Sequence, residues 1–307
     1  MLAPEELYQL ADEPADLARP VLVHAMPGFV DAGSAGRLAV EQLLGHLDHE
    51  VVARFDVDQL VDYRGRRPMM VFDEDHYADY EGPELVLYRV SDSLGTSFLL
   101  LTGPEPDFQW ERFVAAVHQL VEHFDVRLTV GLAAYPMAVP HTRPLGVTVH
   151  ATDPELTGTH RNPWRGHMQV PAHVGGLLEV RLGEAGRAAM GFGAHVPHYL
   201  AQGAFPAAAQ ALLEEVTKAT GLVLPTGELA EAALEMRTAI DSQIGESEEV
   251  RGVVRALERQ YDAFAGGETR GSLLAAEAAE LPSGDEIGAE FERFLAELDD
   301  EGPRENT

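Results

Sequence analysis

The strongest constraint on the fold lies near the start of the chain. Val21 to Met26 is a short apolar run bounded by Pro20 and Pro27, which suits a buried strand better than a helix. A turn bearing Gly28, Gly33 and Gly36 follows. From Ser34 to Leu47 the apolar positions Leu38, Leu43, Leu44 and Leu47 then fall on one face of a helix. A strand, a glycine-bearing turn and a helix laid back on the sheet predict that an α/β domain opens here.

The pattern continues down the chain. Strand-like runs occur at Val51 to Val57, Met69 to Phe72, Leu85 to Val90, Phe98 to Thr102, Leu128 to Ala133, Val147 to His150 and Ala188 to Val196. Trp110 to Phe124 reads as a helix with Phe113, Val117, Leu120 and Val121 on one face and Asp107 placed to cap it. Phe205 to Thr220 is a second helix, stopped by Gly221. Alternating strands and helices, with some strands linked directly around Met69 to Val90, predict a three-layer α/β/α domain with a mixed sheet over residues 1–225. Residues 226–307 read as an acidic helical extension. They hold 21 Asp and Glu against 7 Arg, about half the formal charge. Leu229, Met236, Ile240 and Ile244, then Val250, Val253, Leu257, Tyr261 and Phe264, make two apolar stripes that predict an antiparallel helical pair. A third helix is expected from the capping-box pattern at Ser283, after a link over 266–282.

Charge narrows the partners. With 51 Asp and Glu against 22 Lys and Arg, the net charge of −29 repels phosphate backbones and anionic lipids, so neither nucleic acid nor membrane is expected as a partner. The absence of cysteine removes disulfides, thiolate nucleophiles and Cys-based zinc sites, and fits the cytoplasm. The acidic first residues do not look like a signal peptide, and no apolar run is long enough to span a bilayer. Lys218 is the only lysine, so Schiff-base chemistry is not expected. No cofactor and no metal are expected.

No single motif spells out a reaction. The opening turn is where backbone amides can meet an anion, yet its glycine spacing fits neither phosphate motif, and Ser34 lies too far past the strand for a nucleophile elbow. Turn geometry and anion binding both remain open for it. Arg64, Arg66 and Arg67 gather three guanidiniums in an acidic chain, to pair with surplus carboxylates or to hold an anionic ligand. Glu105 follows a buried strand, where open α/β sheets bind ligands. His141 and Arg143, in the proline-rich loop Pro136 to Pro144, offer a base and an anion clamp or are simply exposed. Two residues separate His195 from His198, a gap that suggests metal ligation, but Pro197 excludes a helical metal face. Trp164 and His167 suit a pocket or an interface equally.

Four stretches together, Asp62 to Pro68, Gly103 to Asp107, Pro140 to Pro144 and Val196 to Leu200, resemble the long bacterial branch of the proteasome assembly chaperone 2 family, over about Val21 to Leu224. The resemblance implies a fold similar to nucleoside phosphorylases in a symmetric homo-oligomer, for which a trimer is the expectation. Archaeal and eukaryotic members help build proteasome α-rings. The ending Arg304 to Thr307 lacks the hydrophobic residue and tyrosine with which proteasome-docking relatives often end, so that route is not expected here. Two functional expectations follow. One is a non-enzymatic homo-oligomeric binding or assembly protein with the helical extension as its recognition arm. The other is an enzyme or small-ligand binder whose cleft gathers Gly28, Arg64, Arg66, Glu105, His141 and Arg143 around an anionic, nucleoside-like ligand.

Overall fold

The fold is described from a computed structural model for residues 2–11, 17–158, 160 and 167–265. Trp164, the expected link over 266–282 and the helix expected from Ser283 lie outside the described residues.

Among the described residues ten strands are formed: β1 Tyr8–Leu10, β2 Val21–Ala25, β3 His49–Phe55, β4 Met69–Asp73, β5 His76–Glu81, β6 Val86–Ser91, β7 Ser97–Thr102, β8 Leu128–Met137, β9 Val147–Ala151 and β10 Ala189–Pro197. Six α-helices accompany them among the same residues: α1 Ala35–His46, α2 Trp110–His123, α3 Val174–Glu184, α4 Pro206–Thr220, α5 Gly227–Glu246 and α6 Glu248–Ala265. Eight strands make one mixed sheet in the order β1-β3-β6-β7-β2-β8-β10-β9, and β4 and β5 form a separate hairpin. The inner strands β7, β2, β8 and β10 are parallel; β6, β3 and β1 on one side and β9 on the other are antiparallel to their neighbours.

Every residue of β2 is buried, which is why its sequence reads as a continuous apolar run rather than an alternating one. Its Val21, Val23 and Ala25 face a core shared with α1 and α4. Leu22 faces a second core shared with α2 and α3. The molecule is therefore three layers, helix on sheet on helix, as the alternation predicts.

Three local expectations change. Asp107 does not cap α2: Gln109 occupies the cap position in the left-handed conformation, while Asp107 accepts the Asp62 amide at 2.7 Å and pairs with Arg66 at 2.5 Å. Pro136 lies in a strand, not a loop. β2 pairs with β8 only as far as Gly131, so at Pro136 the proline nitrogen faces no ladder partner on that side. The third change is α3, which the sequence reading missed because Gly175 and Gly176 weaken its first turn. Val174, Leu178 and Leu182, one turn apart, bury it all the same.

The two stripes of the extension form α5 and α6, and both pack on the α/β body. Leu229 of α5 joins the α1 and α4 core, and His46 of α1 meets Glu228 at 2.9 Å. Leu257 of α6 is fully buried against Ala138 and Tyr199, and Val254 packs on Ile240 and Ile244 of α5.

Candidate functional site

Strands β3, β7, β2, β8 and β10 run in the same sense, so the loops after them share one edge of the sheet. That edge carries all six residues singled out in the sequence, but at two separate places.

Gly28, Arg66 and Glu105 meet at the first. The Glu105 carboxylate accepts the Phe29 amide at 3.2 Å and the Val174 amide at 2.8 Å, tying the opening turn to the start of α3. A side chain at Gly28 would collide with that carboxylate, which accounts for the glycine. Arg66 donates to the Glu105 backbone carbonyl at 2.5 Å and pairs with Asp107. Arg64 is exposed, and among the described residues only its amide is engaged, donating to Asp62 at 2.9 Å. Four of the turn amides are already taken within the chain. Besides Phe29, Gly33 donates to the Ala201 carbonyl, Ser34 to the Asp31 carbonyl, and Gly36 to the Asp31 carboxylate at 2.6 Å. Asp31 thus fills the anion position at the start of α1 from within the chain.

Beside Glu105, a cleft holding about 30 Å³ lies between α3 and the sheet, and His24, His150 and His173 line it. His24 is 7% exposed, and its ring makes no hydrogen bond among the described residues. Gly131 makes room for it: a Cβ there would stand 2.8 Å from the His24 ring. Burial, helped by the neighbouring His173 and His150, lowers its pKa to about 4, so the ring is neutral near pH 7. His150 Nδ1 lies 2.7 Å from Glu179, and His173 Nδ1 accepts the Gly176 amide at 3.2 Å, capping α3.

His141 and Arg143 line the second place, a cavity of about 500 Å³ between the loop after β8, the start of α4 and the inner side of α5. Its size is that of an ordinary small-molecule site. Apolar walls come from Val139, Leu145, Phe205, Met236 and Ile240. His141 is fixed from both sides. The Asp241 carboxylate of α5 can only accept, so Nε2–H donates to it at 3.1 Å; Nδ1 of the neutral ring then accepts the proton of the Tyr199 hydroxyl at 2.7 Å, and that hydroxyl accepts the His141 amide at 3.0 Å. Burial holds the His141 pKa below the usual imidazole value, against the opposing pull of Asp241. Arg143 makes a fork to Asp262 of α6, 2.8 Å from Nε and 2.8 Å from Nη2, and reaches Glu258 at 3.1 Å. Thr142 donates to the same Glu258 at 2.5 Å, and the Tyr261 hydroxyl to the Pro144 carbonyl at 3.0 Å. The loop carrying the two expected site residues is therefore latched shut by the helical extension.

Sequence reasoning missed Arg237 of α5, which also lines this cavity, and the carboxylates that latch it. Their helical spacing signals only a solvated face; which loop they meet depends on how α5 and α6 fold back. His24 and His150 escaped notice because a lone histidine in a strand carries no local signal. His195 and His198 part company: His195 reaches Thr148 Oγ1 at 2.7 Å, and His198 faces the Met137 carbonyl at 3.4 Å.

A profile of the PAC2 family matches residues 25–244, most of the chain. The chain belongs to the PAC2 family. Solved structures of PAC2-like proteins share the fold. A Mycobacterium tuberculosis protein of unknown function is 50% identical with a TM-score of 0.82, the match covering 85% of this chain and 92% of that one. A Corynebacterium glutamicum protein, also of unknown function, is 36% identical with a TM-score of 0.80, over 84% and 97% of the two chains. A second M. tuberculosis protein, a proteasome-assembly chaperone homologue, is 26% identical with a TM-score of 0.68, over 76% and 99%. No curated protein matches the chain significantly. Among the described residues of this PAC2 protein, no helix is long and apolar enough to cross a membrane.

Proposed function

We propose that this protein is a self-associating assembly protein of the chaperone type, and that it docks through the β4–β5 hairpin. One observation carries this reading: the hairpin stands off the main sheet with its apolar side chains in the open. Met69 is 74% exposed, Phe72 59% and Tyr77 72%. The cross-strand pairs Phe72–Tyr77 and Met70–Tyr80 put four large side chains on one face, the two rings of the first pair 5.1 Å apart. A lone two-stranded hairpin is marginal in water, and a contiguous exposed apolar face marks a contact surface. The loop leading into β4 brings Arg64 and Arg67, both exposed, in a chain of net charge −29, so a second, acidic copy is a complementary partner. An assembly role fits the family, in which one relative is a proteasome-assembly chaperone homologue.

Sedimentation velocity tests it. The wild-type chain is expected to sediment as an oligomer, with a trimer as the specific expectation. Phe72→Glu with Tyr77→Glu should give a monomer that keeps its circular dichroism and melting profile. A monomeric wild type at micromolar concentration, or an unchanged oligomer in the double variant, refutes docking by the hairpin.

A second reading, a small-ligand binder, is favoured by the cavity under α5. It retains His141 and Arg143 as site residues and assigns Gly28, Arg66 and Glu105 to holding the adjoining loops, with Arg64 left to the hairpin surface.

A further inference from the structure

We propose that the cavity under α5 binds an anionic amphiphile, a carboxylate or phosphate head joined to an apolar body, with Arg237 as the anchor of the head. The proposal rests on the small-ligand reading and names the ligand class. Charge carries it first. The chain has 51 Asp and Glu against 22 Lys and Arg, yet among the described residues that line the cavity two are arginines and none is a carboxylate. Asp241, Glu258 and Asp262 stand behind that wall, on His141 and Arg143, so the charge left to meet a ligand is that of Arg237.

The two arginines differ in how far they are engaged. Arg143 is saturated by the fork to Asp262 and by Glu258, and so acts as the hinge pin of the helical cover. Among the described residues Arg237 has only Asp241, at 3.8 Å and without a hydrogen bond between them, and its side chain is 57% exposed. Its fork is the one an incoming carboxylate or phosphate can take. Apolar walls supply the rest: Leu145, Phe205, Met236 and Ile240 surround a volume of about 500 Å³, well beyond what an inorganic anion fills. A ligand here touches both the body, at Phe205 and Leu145, and α5, at Met236 and Arg237. Occupancy therefore fastens α5 to the α/β layers.

Isothermal titration calorimetry on the full chain tests this with decanoate and decyl phosphate as the anionic probes, decanol as the neutral one and uridine as a nucleoside. Both anions are expected to bind, with decanol at least tenfold weaker, and the better of the two anions identifies the preferred head. Arg237→Gln, which keeps the bulk of the side chain, should weaken the anions about tenfold and leave decanol unchanged. Hydrogen exchange along α5 should slow when decanoate is bound to the wild type. Decanol binding as tightly as decanoate, or anion binding unaffected by Arg237→Gln, overturns the assignment of head and anchor. Binding of uridine alone overturns the ligand class but leaves the small-ligand reading intact. No binding by any probe, with no change in α5 exchange, removes both.

Discussion

At the scale of single residues, the histidines under α3 decide how the protein responds to acid. His24 is buried against His173 and His150, with Glu105 and Glu179 as the nearest carboxylates lining the same cleft. Its folded pKa is about 4, below the ordinary value of 6.5 that it regains on unfolding. Between those values the unfolded chain binds the extra proton. The contribution of neutral His24 is thus complete above pH 6.5 and is lost as pH falls toward 4. A shift of this size is worth roughly 3 kcal/mol. His195, 4% exposed and likewise lowered to about 4 by burial, acts in the same direction. Urea unfolding at pH 7.5 and pH 4.5 should show a marked loss at the lower pH, and in His24→Asn the difference between the two should shrink. Equal pH dependence in variant and wild type would show that His24 is protonated without penalty.

At the scale of elements, α6 shows how a helix with weak intrinsic support is held. It has only one side to bury, and its apolar stripe is the one visible in the sequence: Val250, Val253, Leu257, Tyr261 and Phe264. Leu257 is fully buried, while Tyr261 and Phe264 lie against Met137 and Val139 at the end of β8. The polar latch to Arg143 is partly exposed, with side chains 31% and 54% accessible at the Arg143–Asp262 pair. Such pairs set register more than they add stability. Apolar burial therefore supplies most of the hold. Leu257→Ala is expected to destabilise α6 by roughly 2–3 kcal/mol. Hydrogen exchange should then be faster throughout α6 while α1 and α4 keep their protection. Uniformly faster exchange in α1 and α4 as well would mean that the extension and the body unfold as one unit.

At the scale of the whole molecule, a net charge of −29 on 307 residues means that self-repulsion opposes compactness. Raising sodium chloride from 20 mM to 500 mM should raise the melting temperature, because screening relieves more repulsion than it weakens surface pairs. A fall would show that the ion pairs between elements dominate. Much of this architecture was legible in the sequence. The fully buried β2, the α1 and α4 stripes and the stop at Gly221 all announce themselves because each depends on contacts within a few residues. β5 escaped because its residues, exposed on both faces, carry no alternation, and α3 because two glycines sit in its first turn. The six site residues lie on one edge of the sheet, since strand direction fixes where each following loop emerges. Whether they share a cleft was not legible. Glu105 was taken by the amides of Phe29 and Val174, and Arg143 by carboxylates more than a hundred residues away. By itself, then, the sequence determined the strand–turn–helix opening, the layered fold and the apolar stripes, since burial on a periodic backbone is a local pattern. Only the tertiary structure decided that the opening turn is closed by its own Asp31 and Glu105, and that the extension roofs a cavity. Those outcomes depend on which distant groups reach a given polar atom first, and a one-dimensional pattern does not record that.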